Sequence, residues 1–146
     1  ITTVILTFED GAGATLTFTA KDLDGPGGNP VEVDTIRLAA NTEYTVTPQY
    51  LDESKTPAED ITEEVKEEDV EHLICYAVSG SIFDPSITQD TDADGNIFGL
   101  NTEISTLSAG SGTLRHTLKH EPDKSVANPC ATGETDVEID FPVVVN

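Results

Sequence analysis

Two of the three histidines lie where a predicted strand meets an acidic segment. His72 follows Glu71 at the entry to an apolar run, and His120 precedes Glu121 at the exit of another. If the two strands are antiparallel neighbours, His72 and His120 meet at one end of a sheet. With a carboxylate from Glu68 or Glu71 they would form a donor set suited to zinc or another divalent metal. The simpler alternative is a pair of hydrogen-bonded histidines at strand ends.

The third histidine, His116, does not fit the same metal site. It precedes His120 by four residues on a predicted strand, so about 13 Å separates their Cα atoms at ~3.3 Å per residue. The two cannot share one ion without a bulge. The strand alternation also places His116 with Leu114 and Leu118 on an apolar face.

The stretch DTDADGN at 90–96 is a candidate calcium loop. Its oxygen donors would come from Asp90, Asp92, Asp94 and Asn96, and the order of carboxylates and glycine is that of an EF-hand loop. Flanking helices are missing, and position 12 is Asn101 instead of glutamate. The alternative is a polar hairpin turn, which Asp-Gly and Gly-Asn pairs favour. A weaker calcium candidate is formed by Asp22 and Asp24 in DLDG.

The two cysteines, Cys75 and Cys130, leave two interpretations open. They could form one disulfide that closes a long loop, or Cys75 could be a small buried residue in its apolar run. Two thiols alone do not establish an oxidising compartment.

Net charge and motifs exclude several classes of function. A charge of −21 and a pI of about 4.1 argue against nucleic acid and against anionic membrane surfaces. No apolar run approaches the ~20 residues that span a bilayer. The chain has no G-x-S-x-G motif and no glycine-rich phosphate loop. Carboxylate pairs arise by chance among 28 acids, so we predict a protein that is not an enzyme.

One helix is predicted, over about 57–70, and it is strongly acidic. Thr56 suits the N-cap, Pro57 suits the first helical position, and Glu59 completes a capping box. Ile61 and Val65 belong to a narrow apolar stripe at helical spacing. The helix would deliver Glu68 and Glu71 to the start of the following strand.

The rest of the chain alternates as β-strands. In 134–145, Val137, Ile139 and Phe141 face one way, while Asp136, Glu138 and Asp140 face the other. Ile82–Thr88 is also predicted as a strand, which Pro85 confines to an edge or a bulge. Eight or nine short strands with the helix as an insert predict one antiparallel immunoglobulin-like β-sandwich domain over 1–146. Tyr44 is the candidate for the tyrosine that ties back to the backbone in such folds.

Several segments resemble a group of small secreted lipoproteins from Bacteroidetes-type bacteria. The resemblance is carried by EDITEEVKEEDVEH (59–72), DTDADGNIFGL (90–100), SGTLRHTLKHEPDK (111–124) and GETDVEIDF (133–141). Members often carry the label of a type 1 periplasmic binding fold. That fold needs repeated βαβ units, whereas this chain has one predicted helix.

The resemblance implies a secreted protein in the periplasm or on the surface of a Gram-negative cell. It implies a lipid-anchored cysteine upstream of Ile1, in agreement with the absence of an initiator methionine. The genes of the group often lie beside TonB-dependent outer-membrane receptors, which implies a role in nutrient or metal uptake. His72 and His120 match the group's pattern, whereas His116 departs from it. Cys75 and Cys130 also depart, and two unusual cysteines together favour a disulfide.

The sequence therefore predicts a monomeric, non-enzymatic envelope protein. It would act as a binding or accessory module, with calcium or another divalent cation as its ligand and an outer-membrane receptor or another envelope protein as its partner. One rival is a zinc-like metal-capture protein that uses His72, His120 and helix carboxylates. The other is a structural or adhesive immunoglobulin-like domain with calcium bracing the turn at 90–96.

Overall fold

Alternating apolar residues form most of the chain into strands. The computed structural model describes residues 1–22 and 31–146. The strands are β1 (Thr3–Asp10), β2 (Thr15–Lys21), β3 (Glu32–Val33), β4 (Ile36–Leu38), β5 (Glu43–Asp52), β6 (Glu59–Asp60), β7 (His72–Ser79), β8 (Thr88–Thr91), β9 (Ile97–Ser105), β10 (Gly110–His120) and β11 (Glu134–Val145). One α-helix, α1 (Thr62–Glu67), and two 3-10 turns, Asp69–Glu71 and Pro129–Ala131, interrupt them.

The strands form two sheets. The first has the order β3-β2-β1-β5-β9-β8, with β6 paired to β5, and the second has the order β4-β11-β10-β7. Neighbouring strands are antiparallel except β4 and β11, which are parallel. The prediction of a mainly antiparallel β-sandwich with one helix is confirmed.

Side chains from the facing sides of both sheets form a single apolar core. Phe8 and Tyr50 come from the first sheet, and Leu114, Leu118 and Phe141 come from the second; all five are fully buried. The prediction for 134–145 holds in this respect, since Phe141 belongs to the core and the acids of that strand are exposed. The burial of apolar surface between the sheets is the main force that holds them together.

The helix is shorter than the sequence predicts. It begins after Ile61 instead of at Pro57, because Glu59 and Asp60 form β6 and pair with Asp52 and Leu51 of β5. The predicted capping box at Thr56 and Glu59 is therefore wrong. The N-cap is Ile61, which makes no side-chain cap hydrogen bond, and the backbone N–H of Thr62 donates to Asp60 Oδ1 at 3.0 Å. Strand pairing has outcompeted the local helix signals.

The segment around Pro85 also differs from its prediction. Ile82–Thr88 does not form a strand: only Phe83 pairs, as an isolated bridge to Thr106, and β8 begins at Thr88. Tyr44 behaves as expected of a tyrosine tied to the backbone upstream, because its hydroxyl accepts a hydrogen bond from the Ala39 N–H at 3.0 Å. Among the described residues, no helix is both long and apolar enough to cross a membrane.

Candidate metal centre

His72 and His120 meet at one end of the second sheet. His72 is the first residue of β7 and His120 the last of β10, and the antiparallel register places them directly opposite each other. Their imidazole rings are stacked, with centroids 5.0 Å apart and an interplanar angle of 18°. His72 is buried, with 6% of its surface exposed, and His120 is half-buried.

Glu68 adds a carboxylate to the two imidazoles. It is the C-cap of α1, and the 3-10 turn Asp69–Glu71 leads directly from it into His72. Glu68, His72 and His120 each offer one ligand atom, and these atoms all lie within 4.8 Å of one another. Within residues 1–22 and 31–146, this is the one group of three or more histidine, cysteine or acidic side chains that could hold a metal ion.

One ring nitrogen of His72 has its role fixed by the backbone. Nδ1 lies 3.0 Å from the carbonyl oxygen of Glu68. Because a carbonyl oxygen can only accept, Nδ1 carries the proton and donates. Nε2 is therefore the nitrogen of this ring that can offer a lone pair, and a second hydrogen bond at Nδ1 orients metal-binding histidines in this way.

The Nε2 atom of His72 faces a fourth candidate donor, Asp136, which the sequence analysis did not include. Oδ2 of Asp136 lies 3.7 Å from this nitrogen. Simple alternation predicts that Asp136 points to the outer face with Glu138 and Asp140. A β-bulge overturns this expectation: Leu118 pairs with Val137, but the next residue, Lys119, pairs with Thr135.

The bulge leaves Asp136 as the extra residue of β11. Thr135 takes the outward position beside Lys119, whose Nζ donates to Thr135 Oγ1 at 2.8 Å. Asp136 instead lines the cleft that holds His72 and His120. A bulge redirects side chains in this way. The only signal in the sequence is the polar run Glu134–Asp136 before the apolar alternation begins, and it does not specify a bulge.

The donors lie in an open cleft of about 340 Å³ between α1 and the end of the second sheet. Apolar side chains from both sides form part of its walls, and the remaining lining residue is the acid Glu64. The full lining is Ile1, Ile61, Glu64, Val65, Glu68, His72, Leu118, His120 and Asp136.

Glu71 is not one of the donors, although the sequence predicted it as an alternative to Glu68. Its side chain is exposed and does not belong to the group of ligand atoms. Its backbone has a different role, because the carbonyl oxygen of Glu71 accepts a hydrogen bond from the Glu121 N–H at 2.7 Å. This bond holds the β7 and β10 ends together beside the two histidines.

Comparisons with protein-family models, with curated proteins and with solved structures found no match to this chain. What the cleft can bind is therefore inferred from the positions of its side chains. Two imidazoles and a carboxylate in one cleft could hold a metal ion.

The carboxylates of the predicted calcium loop do not converge. Gly99 N–H and Asn101 Nδ2 donate to opposite oxygens of Asp90, each at 3.0 Å. The side chain of Asp92 is buried. Asp90, Asp92 and Asp94 form no metal-holding group in the described part of the chain, so the turn matches the hairpin alternative.

Asp92 is satisfied from within the protein. Its Oδ1 accepts from the N–H groups of Asp94 and Asn96, each at 2.9 Å, and its Oδ2 accepts from Lys124 Nζ at 2.7 Å. Burial alone would raise the pKa of Asp92, but the bonds from Lys124 and from the backbone outweigh burial and lower it. The ammonium group of Lys124 thus occupies the position where a cation would bind Asp92.

The second, weaker calcium candidate is described only in part. Asp22 directly follows β2, and its N–H donates to the carbonyl oxygen of Thr2 at 2.8 Å. Asp24 lies outside the described residues. This calcium candidate therefore stays a prediction.

His116 is a core residue, as its position on the apolar face suggests. It is fully buried, and its Nε2 lies 2.8 Å from the hydroxyl of Tyr50. Burial lowers the pKa of His116 to about 3. A histidine that stays neutral and is directed into the core takes no part in the cleft.

The two cysteines form a disulfide. Cys75 on β7 is joined to Cys130 in the 3-10 turn before β11, with their Cα atoms 6.2 Å apart. This bond fixes the segment 121–133 against the outer face of the second sheet, next to Thr117 and Lys119.

Proposed function

We propose that this protein is a non-enzymatic binding module of the bacterial cell envelope that holds a zinc-class divalent ion between Glu68, His72 and His120. One observation carries the proposal: ligand atoms from two imidazoles and one carboxylate lie within 4.8 Å of one another in an accessible cleft. The donors come from three different elements, and backbone pairing places two of them opposite each other.

The donor types favour a transition metal over calcium. Calcium takes six to eight oxygen ligands, whereas two imidazole nitrogens and a carboxylate suit zinc, copper or nickel. Zinc bonds of about 2.0–2.2 Å place tetrahedral ligand atoms roughly 3.4 Å apart. The ligand atoms now lie within 4.8 Å of one another, so the side chains must move closer to bind an ion, and the exposed Glu68 side chain can rotate towards the histidines.

The charge of the whole chain supports capture of a cation. A net charge of −21 attracts cations to the surface and raises their local concentration near the cleft. This attraction is screened by salt and does not distinguish one divalent ion from another. Selectivity would come from the two imidazoles.

The envelope location and the partner are further parts of the proposal. The disulfide between Cys75 and Cys130 is typical of proteins in oxidising compartments such as the periplasm. The resemblance to envelope lipoproteins supports a lipid-anchored form that acts beside an outer-membrane uptake receptor. An ion held in an open cleft can be passed to such a partner.

Calorimetric titration of the metal-free protein with Zn²⁺, and separately with Ca²⁺, tests the proposal. We expect one Zn²⁺ per chain, with affinity reduced at least tenfold in Glu68→Gln and His120→Asn. Glu71→Gln removes a neighbouring charge that is not in the cleft, and it should bind like the wild type. Absence of a stoichiometric zinc site, or equal loss in Glu71→Gln, would overturn the proposal. A calcium site lost in Asp92→Asn would instead support the calcium-braced domain.

A further inference from the structure

We propose that Asp136 is the fourth protein ligand of this ion, so that four side chains close its coordination sphere. The inference rests on the proposed function, because it concerns the same ion. Regular alternation would place Asp136 on the outer face of β11, away from the ion. With Asp136 as a ligand, no coordination position is left open to water.

His72 and Asp136 approach each other closely in the cleft. Nδ1 of His72 donates to the Glu68 carbonyl oxygen, so Nε2 is the ring nitrogen that can offer a lone pair. Oδ2 of Asp136 lies 3.7 Å from Nε2. A cation placed between these two atoms would stabilise the contact. A metal with bonds of about 2.0–2.2 Å to both atoms spans a gap of this size.

Asp136 has no other charged partner in the described part of the chain. Glu138 and Asp140, its acidic neighbours on β11, are engaged on the outer face by Thr117 and Arg115. Among the described residues, His72 Nε2 is the one basic nitrogen within 4.0 Å of the Asp136 carboxylate. The side chain is thus free to move towards an ion.

The backbone of β11 directs Asp136 into the cleft. The bulge opposite Leu118 and Lys119 places Thr135 outward and leaves Asp136 beside His72. Asp136 is not part of the group within 4.8 Å, which consists of Glu68, His72 and His120. Because its side chain is exposed, rotation about its own torsions can bring an oxygen closer without moving the sheet.

Four protein ligands have a chemical consequence. A zinc ion that activates water keeps one coordination position open, whereas an ion bound by four side chains does not. Glu68, His72, His120 and Asp136 would fill a tetrahedral sphere. The site would therefore hold or deliver its ion and would not hydrolyse a substrate.

Cobalt substitution tests this inference, since the visible spectrum of Co²⁺ reports coordination number. Three proteins are compared: wild type, Asp136→Asn, and Glu64→Gln, which removes one charge from the same cleft. We expect the intense absorption of four-coordinate Co²⁺ in wild type and Glu64→Gln, unchanged by added azide. Asp136→Asn should bind zinc at least tenfold more weakly, and its cobalt spectrum should respond to azide through the vacated position.

The outcomes separate this inference from the proposed function. If wild type binds Co²⁺ and Zn²⁺ at one site and Asp136→Asn has the same affinity and spectrum, Asp136 is not a ligand, although the metal site stands. If wild type binds neither ion, both proposals are overturned. Equal weakening in Glu64→Gln would show an effect of charge and would also overturn the assignment of Asp136. Thermal melts of the metal-free variants show whether each one folds, which the exposed position of Asp136 leads us to expect.

Discussion

The imidazole rings of His72 and His120 lie stacked across two paired strands, 5.0 Å apart between centroids. The pairing of β7 with β10 imposes this arrangement, because the register aligns the first residue of one with the last of the other. Two side chains of a type that can ligate a metal are thus brought together by backbone hydrogen bonds.

Zinc should stabilise the folded protein by mass action. An ion that binds only the native state adds about 2.7 kcal/mol at a concentration 100 times its Kd. For a domain of this size we expect a rise in melting temperature of about 5–10 °C, measured by calorimetry with Mg²⁺ as the control ion. In His120→Asn, where zinc binds at least tenfold more weakly, the rise should fall to about half or less. A rise in this variant as large as in the wild type would point to binding elsewhere on the acidic surface.

Removal of the Lys124 ammonium group should strongly destabilise the fold. The Lys124 and Asp92 side chains are 6% and 0% exposed, and their ion pair is 2.7 Å long. Lys124→Met leaves a buried carboxylate without its counter-ion and with only its two backbone N–H bonds, so we expect a loss of about 3–5 kcal/mol in the free energy of unfolding, measured in urea.

The matched control for Lys124 is the double variant Lys124→Met/Asp92→Asn. It carries no buried charge and should recover part of the loss. If the single variant is no less stable than the double one, the pair contributes little.

Stability should fall in acid because of His116. Its folded pKa is lowered to about 3 from 6.5, so the unfolded state binds more protons between these two values. The contribution of His116 to stability is therefore complete above pH 6.5 and declines at lower pH by up to about 1.4 kcal/mol per unit. Urea denaturation of wild type and His116→Gln from pH 7 to 4 measures this difference. Parallel profiles would show that His116 is not buried and neutral.

The disulfide should stabilise the fold mainly through the unfolded chain. It joins residues separated by 55 positions, and in the chain-entropy picture a loop of that length contributes about 4 kcal/mol. Cys75→Ala/Cys130→Ala should lose roughly that amount in urea denaturation. Reduction should weaken the wild type and leave the double variant unchanged; equal sensitivity of the two would contradict the assignment.

The sequence predicted the structure correctly where a single local pattern determined it. Regular alternation predicted the sandwich, and the positions of His72 and His120 at strand ends predicted their meeting. The helix start at Pro57 was wrong because Glu59 and Asp60 pair with β5, and local capping signals do not contain that distant contact. Glu71 was less useful than Glu68 because the 3-10 turn changes the direction of successive side chains.

The direction of the Asp136 side chain could not be predicted from the sequence for a different reason. Period-two reasoning assumes that each residue has one partner, and a bulge breaks that assumption without any mark in residue type. The calcium motif has a similar limit at Asp92. Lys124 lies 32 residues from Asp92 in the sequence, and only the folded chain reveals that its ammonium group pairs with the Asp92 carboxylate.

The bulge in β11 shows how a strand can gain a donor by insertion. Residues on either side of it keep their inward or outward direction, so Val137 still faces the core and Thr135 still contacts Lys119. One additional residue thus places a carboxylate in the cleft without exchanging any side chain around it. Deleting Asp136 would restore regular pairing between β10 and β11. It would remove one carboxylate from the cleft beside the histidines and leave the sandwich itself unaltered.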